Sequence, residues 1–67
     1  MSVARVTEIS ATSEQSFDDA IQQGMSRATK TLRGVTSGWI KELEVEVKDN
    51  RIVNWKVNMQ VTFLLED

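Results

Sequence analysis

Residues 52–67 read IVNWKVNMQVTFLLED, and the order of their apolar and polar side chains decides the fold. From Val53 the alternation is strict. Val53, Trp55, Val57, Met59, Val61, Phe63 and Leu65 share one parity, and Asn54, Lys56, Asn58, Gln60 and Thr62 share the other. A period of two marks a strand with one face buried and one face in water. The run is about 13 residues long, well above the usual five or six. Trp55, in the middle of the apolar set, is expected in the core.

Upstream, KDNR (Lys48 to Arg51) reads as a turn, with Asn50 best suited to a positive φ. Before it stands GWIKELEVEV, Gly38 to Val47. Trp39, Leu43, Val45 and Val47 fall on one face, with Lys41 as the exception. Ile40, Glu42, Glu44 and Glu46 fall on the other. The two strands make an antiparallel hairpin. Both apolar faces are odd-numbered. A plain two-residue turn at Asp49-Asn50 would set Val47 opposite Ile52, odd against even. A bulge or an odd loop is therefore expected beside the turn.

Further upstream, ATSEQSFDDAIQQGMSRATKTLRG is helical in pattern. Phe17, Ala20, Ile21, Gly24, Met25, Ala28 and Leu32 step by three and four, giving one apolar stripe. Thr12 or Ser13 is expected as the N-cap, with Gln15 completing a capping box from Thr12. Glu14, Asp18 and Asp19 sit where the helix dipole favours negative charge, and Arg27, Lys30 and Arg33 where it favours positive charge. Gly34 fits a left-handed C-cap. The helix is expected from about Ser13 to Arg33. Gly24 lies on the stripe and reads either as a close approach to the sheet or as an ordinary tolerated glycine. The first segment, VARVTEIS (Val3 to Ser10), is rich in β-branched residues and reads as a strand.

The fold class is then α+β. The order is strand, helix, strand, strand, with one helix over a three-stranded antiparallel sheet. Residues 1–67 form one domain, since 67 residues leave no room for two. A chain this short buries only about 60% of the surface it exposes when unfolded, and it usually needs a staple. Cysteine and histidine are both absent. Disulfides and Cys/His zinc sites are excluded. Oligomerisation is the expected staple, favoured by the long last strand, which overhangs its partners, and by Ile40, Ile52 and Leu64 on the nominally polar face.

The net charge is −2 with no basic run, so no nucleic-acid partner is expected. No apolar stretch approaches the roughly 20 residues of a membrane helix, and the N-terminus lacks a signal-peptide pattern. A cytoplasmic protein is expected. Without His or Cys the commonest bases and nucleophiles are missing, and no enzyme is expected.

Three segments carry a resemblance: RVTEISATSEQSFDDAI, RATKTLRG and VNMQVTFLLED. In order, length and end-to-end pattern the chain resembles the dodecin family. The resemblance implies a β-α-β-β subunit whose sheet wraps around the helix, with twelve subunits forming a hollow homododecamer. Most characterised members stack pairs of flavin rings between tryptophans of two-fold-related subunits, storing or buffering the flavin without catalysis. The flavin implied here is FMN or riboflavin. Flavin-binding relatives carry the tryptophan five positions before an acidic residue of the second strand. Anchored on Glu42, that position is Ser37, and Trp39 arrives two residues later. Two residues keep the face of a strand but shift the ring by about 6.6 Å. Where those relatives have Tyr-Gln-Val, this chain has Trp55-Lys56-Val57. The resemblance makes Trp39 and Lys56 candidate flavin contacts. Trp39 alternatively packs in an interface or the core. Lys56 leans toward a branch that lacks the flavin tryptophan, has a basic residue at this place and includes a calcium-binding member. The alternative function is accordingly the same shell without flavin, structural or binding a cation such as calcium. Glu42, Glu44 and Glu46, one row on one face, are the candidate cation ligands across a symmetry axis.

Overall fold

The computed structural model describes residues 2–65. Glu66 and Asp67, which end the last quoted segment, lie outside the described residues. The elements are β1 (Ala4–Ser13), α1 (Phe17–Thr31), β2 (Val35–Lys48) and β3 (Arg51–Leu64). The sheet order is β1-β3-β2, antiparallel throughout. This is the β-α-β-β arrangement expected from the periodicities.

The helix starts about one turn later than expected. Ser13 remains in β1, opposite Trp55. Its Oγ accepts from the Gln15 N–H at 2.9 Å and donates to Asp19 Oδ2 at 2.6 Å, closing the bend between strand and helix. Ser16, not Thr12 or Ser13, is the N-cap, and its Oγ accepts from the Asp19 N–H at 3.0 Å. The hydroxyl three residues before Asp19 can meet a free first-turn amide only when the chain before it is extended. At the other end the Leu32 N–H donates to the Ala28 carbonyl at 2.9 Å. The helix ends at Thr31, not Arg33, and Leu32, with φ −109 and ψ 139, is the C-cap in place of Gly34; Gly34, two residues on, does take a left-handed φ of +73. A Cβ there would lie 3.2 Å from the Leu64 carbonyl oxygen.

The core lies between the helix and the middle of β3. Ala20, Gly24 and Ala28 are buried on the helix, against Val57, Met59 and Val61. Small residues at every fourth position let the helix lie close to the sheet. A Cβ at Gly24 would sit 2.5 Å from Met59 Cε and 3.1 Å from Ala11 Cβ. Of the two readings of Gly24, close approach is the one realised.

The hairpin has its bulge beside the turn. Val47 opposes Ile52 and Glu46 opposes Asn54, which leaves Val53 without a partner on β2. Asp49 (φ 52) and Asn50 (φ 64) are both left-handed, the type I′ pattern whose twist matches that of the strands.

Two further bulges in β2 correct the expected faces. Val35 opposes Phe63 and Ser37 opposes Thr62, leaving Thr36 extra. Ile40 opposes Met59 and Glu42 opposes Asn58, leaving Lys41 extra. Each extra residue reverses the alternation. Ile40 therefore packs at the core, and Trp39 joins the face away from the helix.

The expected overhang is also reassigned. β3 is the central strand, and only its first residues, 51–54, reach beyond β1. The overhanging unit is the β2–β3 hairpin. The molecule is 52 Å long, whereas a 15-residue helix covers about 22 Å. Leu43, Val45, Val47 and Ile52 are left exposed beyond the helix, and Trp55 is half-buried, not enclosed as expected. No helix among the described residues is long and apolar enough to cross a membrane.

Candidate functional site

The sheet face turned away from the helix carries the candidate residues in rows across the three strands. Gln60 of β3 stands between Glu8 of β1 and Trp39 of β2. Asn58 stands between Ser10 and Glu42, and Lys56 between Thr12 and Glu44. This order follows from the even parity of β3 and from the Lys41 bulge, which brings Trp39 and Glu42 onto one face although they differ in parity.

Trp39 is 65% exposed. A tryptophan that packed in the core would shed most of that surface. Its strand segment, Ser37 to Ile40, lies between the two bulges of β2 and rests on the helix through Gly38. A Cβ at Gly38 would meet Met25 Sδ at 2.9 Å, so the thioether occupies the space that a side chain would need. The indole is thus carried on a short segment packed from below and open above.

The charged groups around it are tied in pairs. Lys41 Nζ lies 3.3 Å from Glu8 Oε1, an ion pair that spans the central strand. Asn58 Nδ2 donates to Glu42 Oε1 at 3.0 Å. Lys56 Nζ lies 3.8 Å from Glu44 Oε1. Both ion pairs are solvent-accessible and contribute little to stability.

Trp39 and Lys56 share this face but do not meet within one chain. Lys56 is four residues from Gln60, about 13 Å along β3. Ser37, the position that the family pattern gives to the tryptophan, lies on the same face opposite Thr62. Glu42, Glu44 and Glu46 form one row, with successive residues about 6.6 Å apart. No three carboxylates converge on a metal position among the described residues. Glu8, Lys41 and Gln60 were not anticipated as neighbours of Trp39. The signal was present in Ile40-Lys41, an apolar and a polar residue each on the wrong side of the alternation. Such a swapped pair marks a bulge.

The geometry has counterparts among known proteins. A family model described as Dodecin matches residues 3–66. The dodecin of Thermus thermophilus is 32% identical over 65 residues, covering 97% of this chain and 94% of that protein. The structure of the dodecin from Streptomyces davaonensis superposes with a TM-score of 0.92 at 35% identity, covering 98% of this chain and 97% of that one. A calcium dodecin from Mycobacterium tuberculosis, described as having a novel calcium-binding site, superposes with a TM-score of 0.83 at 23% identity, covering 97% and 93%. That last likeness shows the fold alone. The match spans nearly the whole sequence and reproduces the strand order and the single helix. The chain belongs to the dodecin family.

Proposed function

We propose that the protein is a non-catalytic flavin store or buffer of the cytoplasm. It assembles as a hollow homododecamer and takes riboflavin or FMN on Trp39. The observation that carries this reading is the exposure of Trp39 on the outer face of an edge strand, between two bulges and above Met25. An indole there is available for stacking, and a flat aromatic ring is the partner that gains most from it. Family membership supports the ligand class.

The assembly rests on a separate observation. Leu43, Val45, Val47 and Ile52 present an apolar surface beyond the end of the helix. In a 67-residue chain without disulfides, a second copy is the natural cover for it. Twelve chains of 7.6 kDa make about 91 kDa. Within this reading Lys56 comes from a second copy, because it is too far from Trp39 in its own chain. Its ammonium can donate to a ring carbonyl but cannot accept.

The geometry favours the cation alternative less. Glu42 and Glu44 are already engaged by Asn58 and Lys56, and a hard cation wants six to eight oxygens around one point.

Titration with riboflavin and with FMN, followed by quenching of flavin fluorescence, tests the reading. Wild type should quench saturably and Trp39→Ala should not. Equal quenching by both, or none by wild type, would remove the flavin reading.

A further inference from the structure

Met25 and Met59 are the methionines among the described residues, and they differ in access. Met59 is fully buried. Met25 is half-buried, on the margin of the core. Its thioether lies against the backbone of Gly38, the residue before Trp39. A Cβ built at Gly38 would lie 2.9 Å from Met25 Sδ and 3.3 Å from its Cε. The atoms nearest to that position all belong to Met25, so this one side chain is the floor beneath Gly38. The strand above is held from one side. Ser37 to Ile40 pairs with β3 through Thr62, Val61, Gln60 and Met59, with a bulge at each end. Within the chain β2 is an edge strand. Each bulge interrupts the ladder, so this short segment can shift as a unit.

A thioether takes one oxygen atom from a hydroperoxide. With hydrogen peroxide, a sulfur lone pair attacks one peroxide oxygen and the O–O bond breaks. Sulfur is oxidised to the sulfoxide and the peroxide is reduced. The hydroxide that leaves takes the proton of the transferred oxygen and becomes water. An apolar side chain has then become a bulkier, polar one. We propose that Met25 is an oxidation site for hydroperoxides, and that its sulfoxide weakens flavin binding by displacing the Gly38–Trp39 segment. This rests on the flavin reading above and adds to it a means of release. The new oxygen has two places to go. Toward Gly38 the space is already filled, and the apolar margin of the core leaves it without a donor. Toward water it draws the sulfur away and removes the floor from under Gly38. Either movement unseats the segment that carries the indole. Met59, enclosed in the core, stays reduced while the protein is folded.

The test treats the protein with hydrogen peroxide and locates the added oxygen by peptide mass mapping. Met25 should be oxidised before Met59. Riboflavin titrations then compare treated and untreated wild type and Met25→Leu, a swap that conserves volume and removes the sulfur. Thermal unfolding confirms that each sample is folded. Treated wild type should bind riboflavin about tenfold more weakly, within the range expected for an overpacked side chain. Methionine sulfoxide reductase should restore the affinity. Met25→Leu should bind alike before and after treatment. Met25→Gln, which puts a polar group beneath Gly38, should bind weakly without treatment. If Met25→Leu does not fold, restoration of wild type by the reductase decides. Lost affinity in treated Met25→Leu would place the damage at another residue and overturn the proposal. So would unchanged affinity in wild type oxidised at Met25, or oxidation of Met59 before Met25. Flavin binding by the untreated protein would still stand in each of these cases. If untreated wild type binds no riboflavin, the proposal falls together with the reading beneath it.

Discussion

Ile40 lies opposite Met59 on the helix side of the sheet, while Trp39, its neighbour in sequence, lies opposite Gln60 on the other side. The extra residue Lys41 makes this arrangement possible. Were Lys41 paired in the ladder instead of bulged, a strand in phase with Leu43 and Val45 would turn the tryptophan into the core and the isoleucine into water.

The bulge can be removed without reversing either side chain. If Lys41 is deleted, Glu42 still opposes Asn58 and Ile40 still opposes Met59, now without an interruption. The deletion should fold and lose little more than the exposed Glu8 ion pair, about 1 kcal/mol or less. Deleting Glu44, in the regular part of β2, shifts one side of the strand by a residue and should abolish cooperative unfolding. Urea unfolding at fixed protein concentration compares the two. Equal damage from both would refute the bulge as the source of the phase change.

Exposure at Trp39 predicts that Trp39→Ala barely alters stability, within about 0.5 kcal/mol, as for surface changes elsewhere. A buried tryptophan would lose about 3–5 kcal/mol. Flavin affinity should meanwhile fall by about five- to 150-fold or more, the range expected when a stacking platform is removed. Thermal melts and flavin titrations on the same samples separate the two effects.

At Gly24 two effects oppose each other. Alanine improves helix propensity by about 1 kcal/mol, but its methyl would press on Met59 Cε and Ala11 Cβ. Overpacking costs about 1–3 kcal/mol, and Met59 is fully buried with little room to move. Gly24→Ala should therefore destabilise, by up to about 2 kcal/mol. Met59→Val, which shortens the opposing side chain, should restore part of the loss. A single variant as stable as wild type would show that the contact gives way freely.

The left-handed φ at Asn50 makes its tolerance specific. Asn50→Gly should stay within a few tenths of a kcal/mol of wild type, because glycine accepts the type I′ turn. Asn50→Val should lose about 1–2 kcal/mol. Chemical denaturation resolves a difference of this size.

The apolar surface of the distal hairpin should respond to charge. Val45→Glu places a carboxylate among Leu43, Val47 and Ile52 and should lower the mass seen by light scattering from about 91 kDa toward small species. Glu46→Lys, on the opposite face, should leave the assembly in place. Unchanged mass for Val45→Glu would move the interface elsewhere.

The elements were legible because their periods are clean. Strict alternation from Val53 and the stripe from Phe17 to Leu32 each admit one reading. The bulge beside Asp49-Asn50 was legible from parity alone. The face of Trp39 was not, because one residue out of phase leaves no trace in composition. Lys41 was visible only as an exception to a pattern, and an exception has no sign until the partner strand is known. The N-cap shifted for a related reason. Ser13 and Ser16 are equally good caps by residue type, and the pairing of Ser13 with Trp55 decides between them. The site proved hardest to read. Trp39, Gln60 and Glu8 come from three strands, and only the register brings them into one row.

The central place of β3 also bears on how the chain emerges from the ribosome. β1 and β2 hydrogen-bond to β3 and not to each other, so every ladder of the sheet waits for the last strand to be made. The pair Ala4 and Leu64 closes a span of nearly the whole chain, a high contact order of the kind that slows folding. Until residues 51–64 are available, only the helix can form, and it has nothing to pack against. The nascent chain carries two long strand-forming segments that have nothing to pair with, the condition in which copies of a chain are most prone to pair with one another.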